Sequence, residues 1–389
     1  MEQKKLTLSQ IGLYNPQRLG DSTVESLFIV RTKLFQFLIE KLGKEKPGSI
    51  PQHYLIIGQR GMGKTTILKR IEVELRKPDY AKDFVPLLFP EEQYNMKNLA
   101  EFWLNSLDAL ADTLECEKHT AEVKQIDDKV TELQKVKNGE ERAKHAFGFL
   151  KTFTDSLHRR PVLLVDNLNL IFDRMNDEEQ HTLRALLMQN NSPVFIGASS
   201  GSIEGTYDYG ASFYDAFQMY YLNKLDFEEL LDILKNLALL TQEEDVTENI
   251  YKQIPRLKTL HQLTGGNPRT ATMLFKIIIK GFSNDINDDL EALLDEITPL
   301  YKARFEELPA QMQVIVDAIA LFWDPINLEQ LRNETGYENS QLSPQLKRLA
   351  EAGWIEKTDA YRAKGSAYQV SERFFNIWFL MRRSSRRQK

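Results

Sequence analysis

Cysteine is almost absent from this 389-residue chain, which carries only Cys116. A disulfide framework within one chain is therefore excluded, as is a cysteine-rich structural zinc site. Cys116 itself is expected to be an inert, partly buried thiol. Long apolar runs are missing as well. No stretch reaches the roughly 18 apolar residues that a membrane-spanning helix needs, and Met1–Gln10 is polar and charged, without the apolar core of a signal peptide. The expectation is a cytoplasmic protein with no membrane partner. A large charge of one sign is also lacking. The formal net charge of −6 leaves no whole-chain footprint of nucleic-acid binding, so any such role has to rest on a local basic patch. Internal repeats and long low-complexity segments do not occur.

What is present is an ordinary globular composition, 42% hydrophobic and 27% charged, in a chain long enough for two or three hydrophobic cores. The apolar spacing at Phe28, Val30, Leu34, Phe37, Leu38 and Leu42 predicts a helix over 28–42, broken by Lys46-Pro47-Gly48-Ser49. Strand runs at 54–57, 84–89, 162–166 and 193–198 alternate with helical patterns at 64–75, 96–114 and 175–188. That alternation argues for a parallel sheet covered on both faces. Residues 117–160 are rich in Glu and Lys with sparse apolar positions, and predict a solvated helical hairpin or a partner-binding arm. From Asp226 to about Glu306 the pattern is almost purely helical, and Leu308-Pro309 marks a further shift. The expected domains are a lead-in over 1–50, a core over 51–224 with its helical insertion, a helical lid over 225–307 and a final domain over 308–389.

The most specific signal is Gly58-Gln59-Arg60-Gly61-Met62-Gly63-Lys64-Thr65, which matches G-x-x-x-x-G-K-[ST] at every fixed position. Glycines let the backbone curl until its N–H groups point inward at phosphate oxygens. The helix that follows adds the partial positive charge of its N-terminus. Lys64 is the candidate cation for the β- and γ-phosphates. Thr65 is the candidate Mg²⁺ ligand, and Thr66 the support for the α-phosphate. An apolar strand before the loop and an amphipathic helix after it supply the context this chemistry needs. ATP or ADP with Mg²⁺ is the expected ligand, held at Gly58, Gly61, Met62, Gly63, Lys64, Thr65 and Thr66.

Asp166 ends the most apolar strand of the chain, where a carboxylate can hold Mg²⁺ through its waters. The next residue is Asn167, where many related enzymes carry a glutamate or aspartate. An amide can orient a water but cannot take its proton, and loss of a general base costs about 10²–10⁴ in rate. Tight binding with slow hydrolysis follows as the expectation, with Asp173 or Glu178 as carboxylates that could stand in. Ser199 or Ser200, at the end of the next strand, is a candidate sensor of the γ-phosphate.

The loop, the strand ending at Asp166 and the polar strand end at Ser199 resemble the ASCE branch of P-loop NTPases. Thr264-Gly265-Gly266-Asn267-Pro268-Arg269 and the helix after it are similar to the lid of AAA+/STAND ATPases of the archaeal type, and origin-recognition ATPases have a comparable lid helix. Asn15-Pro16 with Phe28-Ile29-Val30-Arg31 resembles an entry segment that borders the adenine, and Tyr368-Gln369-Val370 with Phe374-Phe375-Asn376-Ile377-Trp378 resembles the end of a winged helix. The resemblance implies an α/β P-loop sheet followed by a helical lid and a winged-helix domain. It also implies that Arg269 reads the γ-phosphate and couples it to domain closure. Two departures stand against a ring motor: Asn167, and a stretch from Asn191 to Asn223 that contains no arginine. Arg184, on the preceding helix, is a weak substitute for a trans-acting arginine finger.

The final domain reads as helix, helix, helix, strand, wing, strand, with Ser343 expected to cap the third helix and Pro344 to open it. From Leu308 onward twelve Lys/Arg face nine Asp/Glu, a net of +3 in a chain of −6. Gln345, Lys347, Arg348, Arg362 and Lys364 are the candidate contacts to double-stranded DNA, with the Arg382, Arg383, Arg386, Arg387 and Lys389 tail as further phosphate contacts. The first functional expectation is a nucleotide-controlled switch acting on DNA or on a partner protein. The alternatives are a ring-forming motor or loader and an ATP-bound scaffold subunit.

Overall fold

The computed structural model describes residues 16–45, 48–90, 96–200, 213, 215–242, 244–281, 285–359 and 366–382. The chain divides into two compact units. The first takes residues 14–58 and 63–222, the second residues 59–62 and 223–389.

In the first unit a short helix α1 (Asp21–Leu27) precedes α2 (Thr32–Lys44). The helix expected over 28–42 starts at Thr32 rather than Phe28, because Arg31 stands in the left-handed region at φ +67° as its N-cap. Strand β1 (His53–Ile57) leads through the glycine loop to α3 (Lys64–Leu75), followed by a turn of helix α4 (Pro78–Ala81) and β2 (Phe84–Leu88). Then come α5 (Leu99–Cys116), α6 (Thr120–Leu133), α7 (Gly139–Ser156), β3 (Arg160–Val165), α8 (Leu168–Phe172), α9 (Asp177–Gln189), β4 (Val194–Ser199) and β5 (Phe217–Tyr221). All five strands are parallel, in the order β2-β3-β4-β1-β5. Their central members are buried along their whole length, which is why they read as unbroken apolar runs rather than as alternating ones. Helix starts are set by local capping. Asn98 accepts from the Glu101 N–H, and Asn176 forms a reciprocal capping box with Glu179.

The helical hairpin expected at 117–160 is present as α6 and α7, but one face of α7 is packed rather than solvated. Helix α7 buries Ala143, Ala146, Phe147, Leu150 and Phe153, and the Phe147 ring lies 4.7 Å from that of Trp103 on α5. These residues recur at helical spacing on one face, and their charged neighbours, which dilute the composition, occupy the other. Cys116, at the end of α5, is exposed rather than partly buried.

The second unit is helical from α10 (Phe227–Thr241) through α11 (Glu244–Lys252), α12 (Ile254–Thr264), α13 (Pro268–Lys280) and α14 (Ile286–Glu306). After these come α15 (Ala310–Phe322), β6 (Ile326–Asn327), α16 (Leu328–Thr335), α17 (Asn339–Glu351), β7 (Ile355–Asp359), β8 (Ser366–Val370) and α18 (Arg373–Arg382). The three strands form an antiparallel sheet in the order β6-β8-β7. The order helix, strand, helix, helix, strand, strand is the winged-helix layout. Helix α17 starts five residues earlier than Ser343-Pro344 suggested. Glu338 and Gln341 form its capping box, and Pro344 sits inside the helix, where it gives up one backbone hydrogen bond. No helix among the described residues is long and apolar enough to cross a membrane.

Candidate nucleotide site

Strand order positions the site in the first unit. β4 lies between β1 and β3, so the C-terminal ends of all three open on the same edge. Open parallel sheets bind ligands at that edge. The register pairs Ile57 with Ser199, and the Gly58 N–H donates to the Ser199 carbonyl at 3.1 Å. The loop therefore leaves the sheet from a fixed point. Gly61 and Gly63 take φ of +85° and +91°, a conformation that a side chain would strain. Lys64, 7% exposed, folds back so that Nζ donates to the Gly58 carbonyl at 2.6 Å.

Thr65 and Asp166 meet. The Thr65 hydroxyl donates a short hydrogen bond to Asp166 Oδ2, bridging the start of α3 and the end of β3. Asp166 is 3% exposed, and its other oxygen accepts from the Asn167 N–H at 2.8 Å. A hydroxyl and a carboxylate side by side, with no nitrogen or sulfur donor, suit a hard cation that takes its remaining ligands from phosphate and water. Asn167 is left-handed, φ +51° and ψ +39°, and stands as the N-cap of α8 without a side-chain capping bond. Ser199 is buried, and its hydroxyl donates to Asn169 Oδ1 at 3.2 Å. Asn169 is a site neighbour that the sequence reading missed. Its only signal was its place one helical turn's start beyond Asp166.

The five residues Gly58, Gly63, Lys64, Thr65 and Thr66 are thus gathered with Asp166, Asn167 and Ser199 in the first unit. Met62 is buried, and with Gly61 it belongs to the loop tip that groups with the second unit. The suggested stand-in Glu178 is exposed in the first turn of α9, and Asp173 is exposed at the end of α8.

The family described as an ATPase domain predominantly from Archaea matches residues 37–274. The chain belongs to that family. This archaeal-type ATPase also shares its fold with solved structures. A Walker-type ATPase of Pyrococcus abyssi aligns with a TM-score of 0.59 at 14% identity, over 90% of this chain and 95% of its own. The ORC2 protein of Aeropyrum pernix, solved as ADPNP and ADP complexes, aligns with a TM-score of 0.56 at 15% identity, over 95% of each chain. No curated protein matches the chain by sequence.

In the second unit Arg269 stands in the first turn of α13, after Asn267, whose Oδ1 caps that helix by accepting the Arg269 N–H at 3.0 Å. Its charged neighbours there include Glu372 and Arg304. Burial pushes the Glu372 carboxyl up, against the pull of Tyr301, Arg304, Arg269 and Lys224. Of the candidate DNA contacts, Lys347 and Arg348 are exposed on α17 and Gln345 is half-buried. Arg362 and Lys364 lie outside the described residues, as does the tail beyond Arg382. Arg382 is engaged by Asp295 of α14 and so is drawn away from the free basic tail expected of it.

Proposed function

We propose that this archaeal-type ATPase binds MgATP at Gly58–Thr66 and Asp166, hydrolyses it slowly, and acts as a cytoplasmic STAND-like switch that engages double-stranded DNA or a partner protein through its winged helix. The observation that carries the reading is the hydrogen bond between Thr65 and Asp166, which puts two oxygen ligands together beside a buried lysine. When bound, Mg²⁺ neutralises charge on the phosphates and polarises them. The chain's own contribution is to fix Lys64 against the loop, hold Asp166 between a hydroxyl and an amide N–H, and present Asn167 where a base would stand. Asn167 orients a water without accepting its proton, which supports slow turnover.

Arg269 is proposed as the lid residue that reads the γ-phosphate, and Ser199 as the polar sensor. Domain limits near 50, 224 and 307 are proposed with them. Net positive charge after Leu308 and the exposed Lys347 and Arg348 support DNA over a purely protein-binding role. Lys64→Ala is expected to abolish nucleotide binding measured by calorimetry, and unchanged affinity would remove the loop assignment. Steady-state hydrolysis above about one turnover per second, an ordinary enzyme rate, with or without duplex DNA, would remove the slow switch.

A further inference from the structure

Asn267 is 5% exposed and has nearly all of its side-chain hydrogen-bonding capacity used. Its Oδ1 accepts the Arg269 N–H at 3.0 Å. Its Nδ2 donates to the Arg60 carbonyl at 3.1 Å and, with its other hydrogen, reaches Glu372 Oε1 at 3.5 Å. Arg60 belongs to the glycine loop, and Asn267 to the start of α13. Glu372 immediately precedes α18 at the end of the chain. All three lie within the second unit. A Cβ on Gly61 would stand 2.7 Å from Asn267 Oδ1. Glycine at 61 thus admits the amide as well as the left-handed turn. Arg304, 3.9 Å from Glu372, lies over the Trp354 ring at 4.1 Å, so the carboxylate that meets Asn267 is tied to the winged-helix sheet.

We infer that Asn267 is a positioning residue that clamps the loop tip by its backbone, and that Glu372 sets the clamp. The inference rests on the nucleotide reading of the loop and deepens it. In a phosphate loop the N–H groups must face inward. A donor that holds the Arg60 carbonyl from outside keeps that peptide turned the right way before phosphate arrives, and so lowers the ordering cost of binding. Glu372 orients the amide so that one hydrogen is directed at Arg60. Nucleotide affinity is thereby linked to a residue of the winged-helix domain more than 300 positions along the chain.

The test uses the full chain and four variants: Asn267→Asp, Asn267→Ser, Glu372→Gln and the double variant Asn267→Asp with Glu372→Gln. Asp and Ser both keep an oxygen to cap α13, so the helix is retained while the donor to Arg60 is lost. MgADP and MgATP are titrated by calorimetry, and amide exchange at residues 60–64 is followed without nucleotide. Loss of one net hydrogen bond predicts about tenfold weaker binding for Asn267→Asp and faster loop exchange, with Asn267→Ser close behind. The new aspartate faces Glu372, so Glu372→Gln in that background is expected to recover about threefold of the loss. Affinity within twofold of wild type for both Asn267 variants, or strictly additive effects in the double variant, would overturn the clamp. Wild type and Lys64→Ala titrating alike would instead sink the nucleotide reading, and loop exchange would still decide the clamp.

Discussion

His53 opens the strand that carries the loop, and it is 1% exposed. Its Nδ1 accepts the Phe195 N–H of β4 at 3.2 Å, and its Nε2 faces the Leu187 carbonyl near the end of α9 at 3.1 Å. One tautomer serves both contacts, with the proton on Nε2. A second proton would have to sit on Nδ1, against a backbone N–H that already points there. Burial lowers this pKa from 6.5 to about 4, opposed by the Leu187 carbonyl. The unfolded chain therefore takes up a proton that the folded chain refuses. Stability is full above pH 6.5, falls as pH drops toward 4, and levels off below. With 6.5 and about 4 as the two end values, linkage gives a loss of about 2 kcal/mol between pH 7 and pH 5, and about 3 kcal/mol in full. Urea unfolding of wild type and His53→Gln at both pH values measures this. Glutamine carries one acceptor and one donor and does not titrate, so its decline from pH 7 to pH 5 should be smaller than wild type's by about 2 kcal/mol. Parallel declines would refute the reasoning.

Three further outcomes are expected. Phe147→Ala on α7 should cost about 3–5 kcal/mol in chemical denaturation, as for a large core aromatic, whereas a solvated arm would lose about 0.5 kcal/mol or less. Asn167→Glu should raise single-turnover hydrolysis by about 10²-fold if a base is what the site lacks. Because position 167 is left-handed, the variant should also lose about 1 kcal/mol of stability, and that loss without a rate gain would place the water elsewhere. Replacing Lys347 and Arg348 by Ala should lower duplex affinity and flatten its salt dependence by up to about two charges' worth. An unchanged slope would take α17 off the DNA.

The geometry proposed for nucleotide binding was largely legible because it is local. Gly58, Gly63, Lys64 and Thr65 sit in one loop between a strand and a helix, and each type is there for a backbone angle, a charge or a hydroxyl. Asp166 was legible for the same reason, as a carboxylate closing an apolar strand. Its hydrogen bond to Thr65 was not, since it depends on β4 lying between β1 and β3 rather than on any spacing. The packing of α7 was hidden by its charged face, because a helix with one buried stripe among charged positions reads as mostly solvated. The start of α17 was misplaced because Ser343-Pro344 is a good local start signal, and the Glu338–Gln341 box, together with the burial of Leu342, Leu346 and Leu349, outweighs it.

The sequence by itself determined that a loop of this chain can cradle phosphate and that no general base follows Asp166. Those properties belong to neighbouring residues and to backbone chemistry. Only the tertiary structure decided that Ser199 anchors the loop at Gly58, that His53 is locked neutral between a strand and a helix, and that the Asn267 amide reaches both Arg60 and Glu372. Each of these joins residues far apart in the chain, and hydrogen-bond geometry exists only once packing has fixed where the partners stand.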